Sequence, residues 1–389
     1  MFRTRARDNN VFVAFCNTVG GQDELIFDGH SALIDDEGTV IARAPGFEEA
    51  LLVADLDPAS VVGRRLTDAR RRALARDTGV ADAPVVQVGA ARDHVDELTL
   101  AVVPFSDELE QMRQALVLGL SDYVAKNRFE QVVVGVSGGI DSALTAALAA
   151  EALGPQGIHC VSMPSRYTSA ATREDARRLA ENLGADFREI EIEPVFEAFL
   201  GALAPSFAGR EPDPSEENLQ ARVRGTLLMA LSNKFGWLLL ATGNKSELSV
   251  GYATLYGDMA GGFAVLKDVF KGTVYALVEW RNQQAGRELI PSSVIERPPS
   301  AELRYEQRDD ESLPPYDVLD PILEAYVEQD LDAEEIERQG FERSDVERVI
   351  RLVDLAEYKR RQAPPGVRVS TKAFGRDRRL PITNRFRGS

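Results

Sequence analysis

Val132-Val133-Val134-Gly135-Val136-Ser137-Gly138-Gly139-Ile140-Asp141-Ser142 is the stretch that decides the fold. Val132 to Val136 is an unbroken apolar run, as a strand buried on both faces requires. Asp141 to Leu153 is alanine-rich and is stopped by Gly154-Pro155, which predicts a helix lying close against that strand. Outward from this unit the same alternation continues. Asp107 to Lys126 carries Met112, Leu116, Leu120 and Val124 at four-residue spacing and reads as an amphipathic helix. Ile158 to Met163 reads as a strand, Thr172 to Leu183 as a helix and Phe187 to Ile192 as a strand. After a proline-rich loop, Glu216 to Lys234 is helical, Trp237 to Ala241 extended, and Lys245 opens another helix. The pattern predicts an α/β fold with a doubly wound parallel sheet. Ahead of Pro104 the reading is β-rich: Val11 to Cys16, Leu25 to Phe27, Ala32 to Ile34, Val40-Ile41 and Leu51 to Leu56. A stretch from Val61 to Ala75 begins helical, and Ala81 to Pro104 runs as a connector. The boundary near Pro104 divides the chain into domains 1–104 and 105–389. No internal repeat or low-complexity tract interrupts either part.

Length and charge narrow the function classes. The chain has 389 residues, enough for two or three domains, and a formal charge of −17. An acidic surface repels phosphate, which argues against general binding to nucleic acid or anionic lipid. No apolar run approaches the roughly 18 residues of a membrane span, and MFRTRARDNN lacks a signal-peptide core, so the expectation is a cytoplasmic protein. Cys16 and Cys160 are too few for a disulfide framework or a cysteine metal cluster. His30, His94 and His159 lack ligand spacing. Between Lys359 and Ser389, ten Lys or Arg face one acid, Asp377, leaving +9 in the tail and −26 elsewhere. Such a tail serves as a nucleic-acid arm, a polyphosphate pocket or an internal salt-bridge partner. Composition alone favours the last, and the nucleic-acid arm is weakened by Pro364, Pro365, Phe374, Pro381 and Phe386, which interrupt the charges with packing residues.

The turn between strand and helix is an anion site. Its two glycines let backbone approach a phosphate without a Cβ clash, and the first amides of the helix point N–H groups outward, aided by the helix dipole. Ser137 and Ser142 add hydroxyl donors. Asp141 is poorly placed beside phosphate unless a cation lies between them, and a magnesium ion resolves that conflict. A plain glycine turn is the bland alternative, but strand, serines, acid and helix coincide here. The pattern is neither G-x-x-x-x-G-K-[ST] nor G-x-G-x-x-G, which disfavours a Walker-type NTPase and a dinucleotide oxidoreductase.

Ser-Gly-Gly-x-Asp-Ser resembles the loop of the ATP pyrophosphatases. Glu217-Asn218-Leu219-Gln220-Ala221-Arg222-Val223-Arg224, Ala241-Thr242-Gly243-Asn244-Lys245-Ser246-Glu247, Tyr256-Gly257-Asp258, Pro299-Ser300-Ala301-Glu302-Leu303 and Tyr358 to Pro365 are similar, in this order, to the synthetase domain of glutamine-dependent NAD⁺ synthetases. The resemblance implies an adenine-nucleotide hydrolase-like sheet and a reaction in which ATP adenylates the nicotinate carboxylate of deamido-NAD. Pyrophosphate leaves, and ammonia displaces AMP to give NAD⁺. It also implies that Gly135, Val136, Ser137, Gly138, Gly139, Ile140, Asp141, Ser142, Thr242, Lys271 and Ser300 contact ATP. Asn218, Arg222, Glu247, Tyr252, Leu255 and Lys359 would contact deamido-NAD, and Asp141 and Glu247 would share Mg²⁺ and act as catalytic acids. On spacing alone Glu247 is equally a first-turn acid favoured by the helix dipole. Tyr252 and Leu255 read as well as core packing, Ser300 as a turn residue, and Arg224 as a packing or salt-bridge residue. Asp309-Asp310-Glu311 reads as solvated surface on a mobile loop near the site. The family further implies a homodimer or higher homo-oligomer.

Asn17 to Gly29 is similar to the later part of the nitrilase-type glutaminase domain, an αββα fold, that precedes the synthetase in this family. The Glu, Lys and Cys triad that hydrolyses glutamine there lies upstream of this motif and is missing here. Cys16, on an apolar strand with no activating base beside it, reads as a buried, inert thiol, and so does Cys160. A sandwich lacking partner layers exposes strand edges, so the expectation is a truncated form of a longer enzyme that uses ammonia, with glutamine reserved for the full-length family. Two rivals stay open: another ATP-pyrophosphatase amide ligase, and a non-catalytic remnant that binds nucleotide or a partner.

Overall fold

The structure is a computed structural model that describes residues 1–69, 98, 100–300, 302–305, 307, 309 and 313–383. They fall into two compact units, Met1–Gly20 with Phe27–Asp107, and Gly21–Ile26 with Glu108–Ser389. In the first, β1 (Val13–Phe15), β4 (Ala32–Ile34) and β5 (Val40–Arg43) form an antiparallel sheet in the order β1-β4-β5. Between β1 and β4, the chain makes a two-stranded hairpin of β2 (Val19–Gln22) and β3 (Leu25–Asp28). The helix Phe2–Asn9 precedes the sheet, and Pro58–Thr67 follows it, started by Asp57, which accepts from Ala59 N–H. Leu51 to Leu56, read from its apolar residues as a strand, is irregular, with Leu51 and Val53 exposed and therefore without a packing face to hold it in a ladder. Most of the expected connector, residue 94 and the far end of the expected helix lie outside the described residues.

The second unit is built on a five-stranded parallel sheet of β6 (Val132–Gly135), β7 (Ile158–Ser162), β8 (Asp186–Glu189), β9 (Leu238–Ala241) and β10 (Phe263–Ala264), in the order β10-β9-β6-β7-β8. Alternate side chains serve opposite faces, as the two-residue period of a strand dictates. Val132, Val134, Ile158, Cys160, Leu238 and Leu240 join a core made with the helices Glu108–Lys126, Ile140–Leu153, Ala170–Leu183 and Lys271–Ala285. Val133, Val161 and Leu239 turn the other way, against Val223 and Leu228 of the helix Pro214–Phe235. Helices on both faces explain why the central strands β6 and β9 are apolar throughout.

Two elements depart from the sequence reading. Glu193–Phe207 is a helix where the prolines suggested a loop. Pro194 sits in its first turn, where a missing N–H costs nothing, and Pro205 lies in its last. The strand expected over Phe187 to Ile192 is Asp186–Glu189. Beyond the sheet, a separate apolar core gathers Leu319, Ile322, Leu323, Val327, Ile336, Val346, Val349 and Val353. These come from the helices Tyr316–Leu323, Ala333–Glu337 and Arg343–Leu355, and from a π-helical turn at Glu324–Glu328. Among the described residues, no helix is long and apolar enough to cross a membrane.

Candidate active site

The chain leaves β6 in one direction to reach β7 and β8, and later returns on the other side to add β9 and β10. The crevice between the carboxyl ends of β6 and β9 is therefore the switch point at which open α/β sheets bind ligands. On the β6 side, Val136 N–H donates to Val161 O at 2.9 Å, and the chain then turns through Ser137-Gly138-Gly139. Gly138 has φ +76°, and a Cβ there would lie 2.5 Å from Thr172 O, so only glycine makes this turn. Ser142 Oγ donates to Gly139 O at 2.9 Å and accepts from Ser137 N–H at 3.2 Å, bracing the loop from the helix. No side chain caps the helix Ile140–Leu153, whose first-turn residues Ile140, Asp141 and Ser142 line the pocket.

On the β9 side, Asn244 and Glu247 form a capping box that opens the helix Lys245–Val250. Asn244 Oδ1 accepts from Glu247 N–H at 3.0 Å, and its side-chain N–H donates to Asp141 Oδ1 at 2.9 Å. Lys271 Nζ approaches both acids, 2.5 Å from Asp141 Oδ2 and 3.4 Å from Glu247 Oε1. Burial works against the Lys271 charge, but the two carboxylates outweigh it and hold its pKa above the ordinary lysine value. Burial pushes the Glu247 carboxyl up to about 8, opposed by Lys271 and reinforced by the charges of Asp141 and Asp309. Asp309 corrects the reading of its run as solvated loop: it is buried, accepts from the Tyr252 and Tyr316 hydroxyls at 3.1 Å each, and faces this cluster. Burial raises its pKa, with Lys271 opposing. Asp310 and Glu311 lie outside the described residues.

Thr242, Tyr252 and Ser300 line the same pocket as Gly135 to Ser142, Glu247 and Lys271. Asn218, Arg222, Leu255 and Lys359 gather instead around the segment from Gly251 to Leu255. Thr254 donates to Asn218 Oδ1 at 2.8 Å, Arg222 Nε donates to Leu255 O at 3.2 Å, and Lys359 Nζ donates to the carbonyls of Gly251 and Ala253 at 2.7 Å each. Arg224 faces the pocket while donating to Met163 O at 3.1 Å, and burial, its largest influence, lowers its pKa to about 10. Sequence reasoning gave no site role to Asn244 or Arg297 and read Asp309 as solvated. The Asn244-x-x-Glu247 spacing was a usable capping signal; Arg297, which donates to Gly138 O at 3.0 Å, and Asp309 arrive through tertiary packing alone. The basic tail is consumed internally: Arg360 and Arg361 pair with Glu357, Arg368 with Asp377, Lys372 and Arg378 with Asp330, and Arg376 with Glu24. Arg385 and Arg387 lie outside the described residues.

Residues 112–363 match the NAD synthase family. The chain belongs to that family. Residues 1–65 match the carbon-nitrogen hydrolase family. The NAD synthase portion holds the whole five-stranded sheet and every acid of the cluster. The chain is 52% identical over 383 residues to a glutamine-dependent NAD(+) synthetase of Thermotoga maritima, covering 98% of this chain and 66% of that protein. A glutamine-dependent NAD(+) synthetase of Xanthomonas campestris is 47% identical, with 99% and 64% covered. The chain thus spans slightly under two thirds of these relatives. Among solved structures, a glutamine-dependent NAD+ synthetase from Acinetobacter baumannii in complex with ADP superposes with TM-score 0.64 at 43% identity, over 98% of this chain and 64% of that one. An NMN synthetase from Francisella tularensis gives TM-score 0.55 at 28% identity, over 66% of this chain and 97% of that one.

In the carbon-nitrogen hydrolase portion one expectation is overturned. Cys16 is exposed, because β1 ends at Phe15 and Cys16 follows the outward phase of Ala14. Cys160 is buried, and desolvation, with a smaller contribution from Asp186, pushes its thiol up to about 12, which keeps it inert.

Proposed function

We propose that this chain amidates the nicotinate carboxylate of deamido-NAD, using ATP to adenylate it, releasing AMP and pyrophosphate, and using ammonia to displace AMP and give NAD⁺. The observation that carries this reading is the convergence of Asp141, Glu247 and Lys271 beside the Ser137 to Ser142 loop, at the point where the sheet reverses its order. A carboxylate accepts an amine only once its oxygen is a good leaving group, so the task is to hold two polyanions together while neutralising charge. In this reading, the loop from Gly135 to Ser142 with Thr242, Lys271 and Ser300 holds ATP. Glu247 and Tyr252 meet the carboxylate end of the dinucleotide. Asn218, Arg222, Leu255 and Lys359 shape its remainder through the segment they grip.

Mg²⁺ fits the donor set. Asp141, Glu247 and Asp309 act together on one ammonium, so three carboxylates face a single cation. Among the described residues, no three His, Cys, Asp or Glu side chains form a metal cage by themselves. An ion here would complete its shell with water and substrate oxygens, as Mg²⁺ prefers. Asp141 and Glu247 would hold it, and its chemistry would be to neutralise charge on the departing pyrophosphate. A cytoplasmic homodimer, fed with ammonia by glutamine hydrolysis in longer relatives, completes the proposal.

A second reading has one supporting observation: the Francisella tularensis protein with this fold is an NMN synthetase, so the mononucleotide could replace the dinucleotide as acceptor. Purified protein with ATP and Mg²⁺ is given deamido-NAD or nicotinate mononucleotide, and ammonia or glutamine. The expected result is AMP and NAD⁺ from deamido-NAD with ammonia, and no turnover with glutamine. ADP as the product, or no turnover with either nucleotide, would defeat the proposal.

A further inference from the structure

We infer that Asp320, acting through Ser246, is a positioning residue that sets the distance between the Lys271 ammonium and the carboxylates it serves; this rests on the reaction proposed above. Ser246 is fully buried and precedes Glu247 in the helix Lys245–Val250. Its hydroxyl donates to Asp320 Oδ1 at 2.5 Å and accepts the backbone N–H of Lys271 at 2.9 Å. The other carboxylate oxygen of Asp320 accepts Gly272 N–H at 2.8 Å.

Two catalytic helices are thereby tied at their first turns by one acid from a third. Phe270, at the N-cap of Lys271–Ala285, has no side chain that can accept a hydrogen bond, so Asp320 and Ser246 accept the first amides in its place. Lys271 is the opening residue of that helix, and Glu247 follows Ser246 directly. The backbone atoms that carry the ammonium and the carboxylate are therefore bridged through a single hydroxyl. The 3.4 Å separation of Lys271 Nζ from Glu247 Oε1 is already at the outer edge of a direct contact. Loss of the bridge would let the two helix starts part, and the ammonium could no longer serve Asp141 and Glu247 together. Asp320 is not itself among the residues lining the pocket, which sets it apart from the groups that would touch substrate.

The test compares wild type with Ser246→Ala, Ser246→Thr and Asp320→Asn in the full chain, measuring AMP release, KM for ATP, kcat and Tm. Wild-type turnover is the control: without it, the reaction assignment fails and this inference fails separately from any variant. With it, Ser246→Ala is expected to lose about 10- to 100-fold in kcat, by the usual cost of misplacing a catalytic group by about 1 Å. KM for ATP should stay within about twofold, and Ser246→Thr, which keeps the hydroxyl, should recover most of kcat. Should Ser246→Ala not fold, Asp320→Asn reads the same quantity with a near-isosteric side chain that cannot accept from both partners. Wild-type kcat in a folded variant overturns the inference. So does a loss of kcat that follows loss of Tm and is not recovered by threonine.

Discussion

Asn244 donates its side-chain N–H to Asp141 Oδ1 across 2.9 Å, tying the loop after β9 to the loop after β6 at the acid itself. The same side chain caps the helix that carries Glu247. Replacing Asn244 with Asp separates the two roles, because aspartate caps a helix as well as asparagine but donates nothing to Asp141. A second carboxylate would then face the first at hydrogen-bond distance. Asn244→Asp should destabilise the fold by about 1.5–3 kcal/mol, the usual worth of a hydrogen bond to a charged group, and lower turnover at least tenfold. Urea denaturation and an AMP-release assay check both; wild-type behaviour in each would mean the contact carries no weight.

Lys271 is the one ammonium in contact with Asp141 and Glu247 among the described residues, and it is almost wholly buried. Removing one member of a buried ionic cluster leaves its partners desolvated and uncompensated, at a cost of about 3–5 kcal/mol. Lys271→Met should therefore melt well below wild type at neutral pH. Millimolar Mg²⁺ should raise its melting temperature more than that of wild type, since a divalent ion supplies part of the missing charge. Equal shifts in the two proteins would separate the acids from the ion.

The strand, turn and helix from Val132 to Leu153 were legible because three local signals agree there: an apolar run, a glycine turn and an alanine-rich stretch. The helix Glu193–Phe207 was hidden because a linear reading expects a break at each proline, whereas Pro194 falls in the first turn, where a helix tolerates it, and Pro205 costs a hydrogen bond only in the last turn. Asp309 was read as solvent-facing from its acidic neighbours, yet Tyr252 and Tyr316 reach it from elements distant in sequence. Cys16 failed for a smaller reason: a strand three residues long turns its alternate positions outward, and periodicity alone gave no sign of where it would end. Residue types at the site could be read from motifs, whereas burial and partners are set by packing between segments far apart in the chain.

Glu247 gives the site a pH dependence with a definite sign. Its folded-state pKa, about 8, lies above the ordinary glutamate value of 4.5. The folded protein therefore holds this proton more tightly than the unfolded chain. The associated stabilisation is complete below the unfolded pKa and is lost as pH rises through the folded one. A cation needs the deprotonated acid, so Mg²⁺ binding should strengthen over the same interval and release a proton. Titration calorimetry in buffers of different ionisation enthalpy, between pH 6.5 and roughly 9 to bracket that pKa, measures this directly. Glu247→Gln should flatten both the loss of stability with rising pH and the pH dependence of binding. A slope that survives in the variant would assign the proton elsewhere.

Gly138 and Gly139 stand side by side in the loop but differ in what a methyl group would meet. At Gly138, φ is +76° and the new Cβ would fall 2.5 Å from Thr172 O, a backbone atom that cannot swing aside. At Gly139, φ is −93°, and the nearest atom is the Ser137 hydroxyl at 3.2 Å, which can rotate. Gly138→Ala should cost about 1–2 kcal/mol for the left-handed backbone alone and more for the clash. Because the helix behind the loop is anchored in the main core by Ile140, Ala143 and Leu144, the strain should reshape the loop and leave the fold in place. KM for ATP should rise at least tenfold in Gly138→Ala and only a few-fold in Gly139→Ala, with circular dichroism unchanged in both. Equal effects in the two variants would mean that the turn geometry at Gly138 does not shape the nucleotide site.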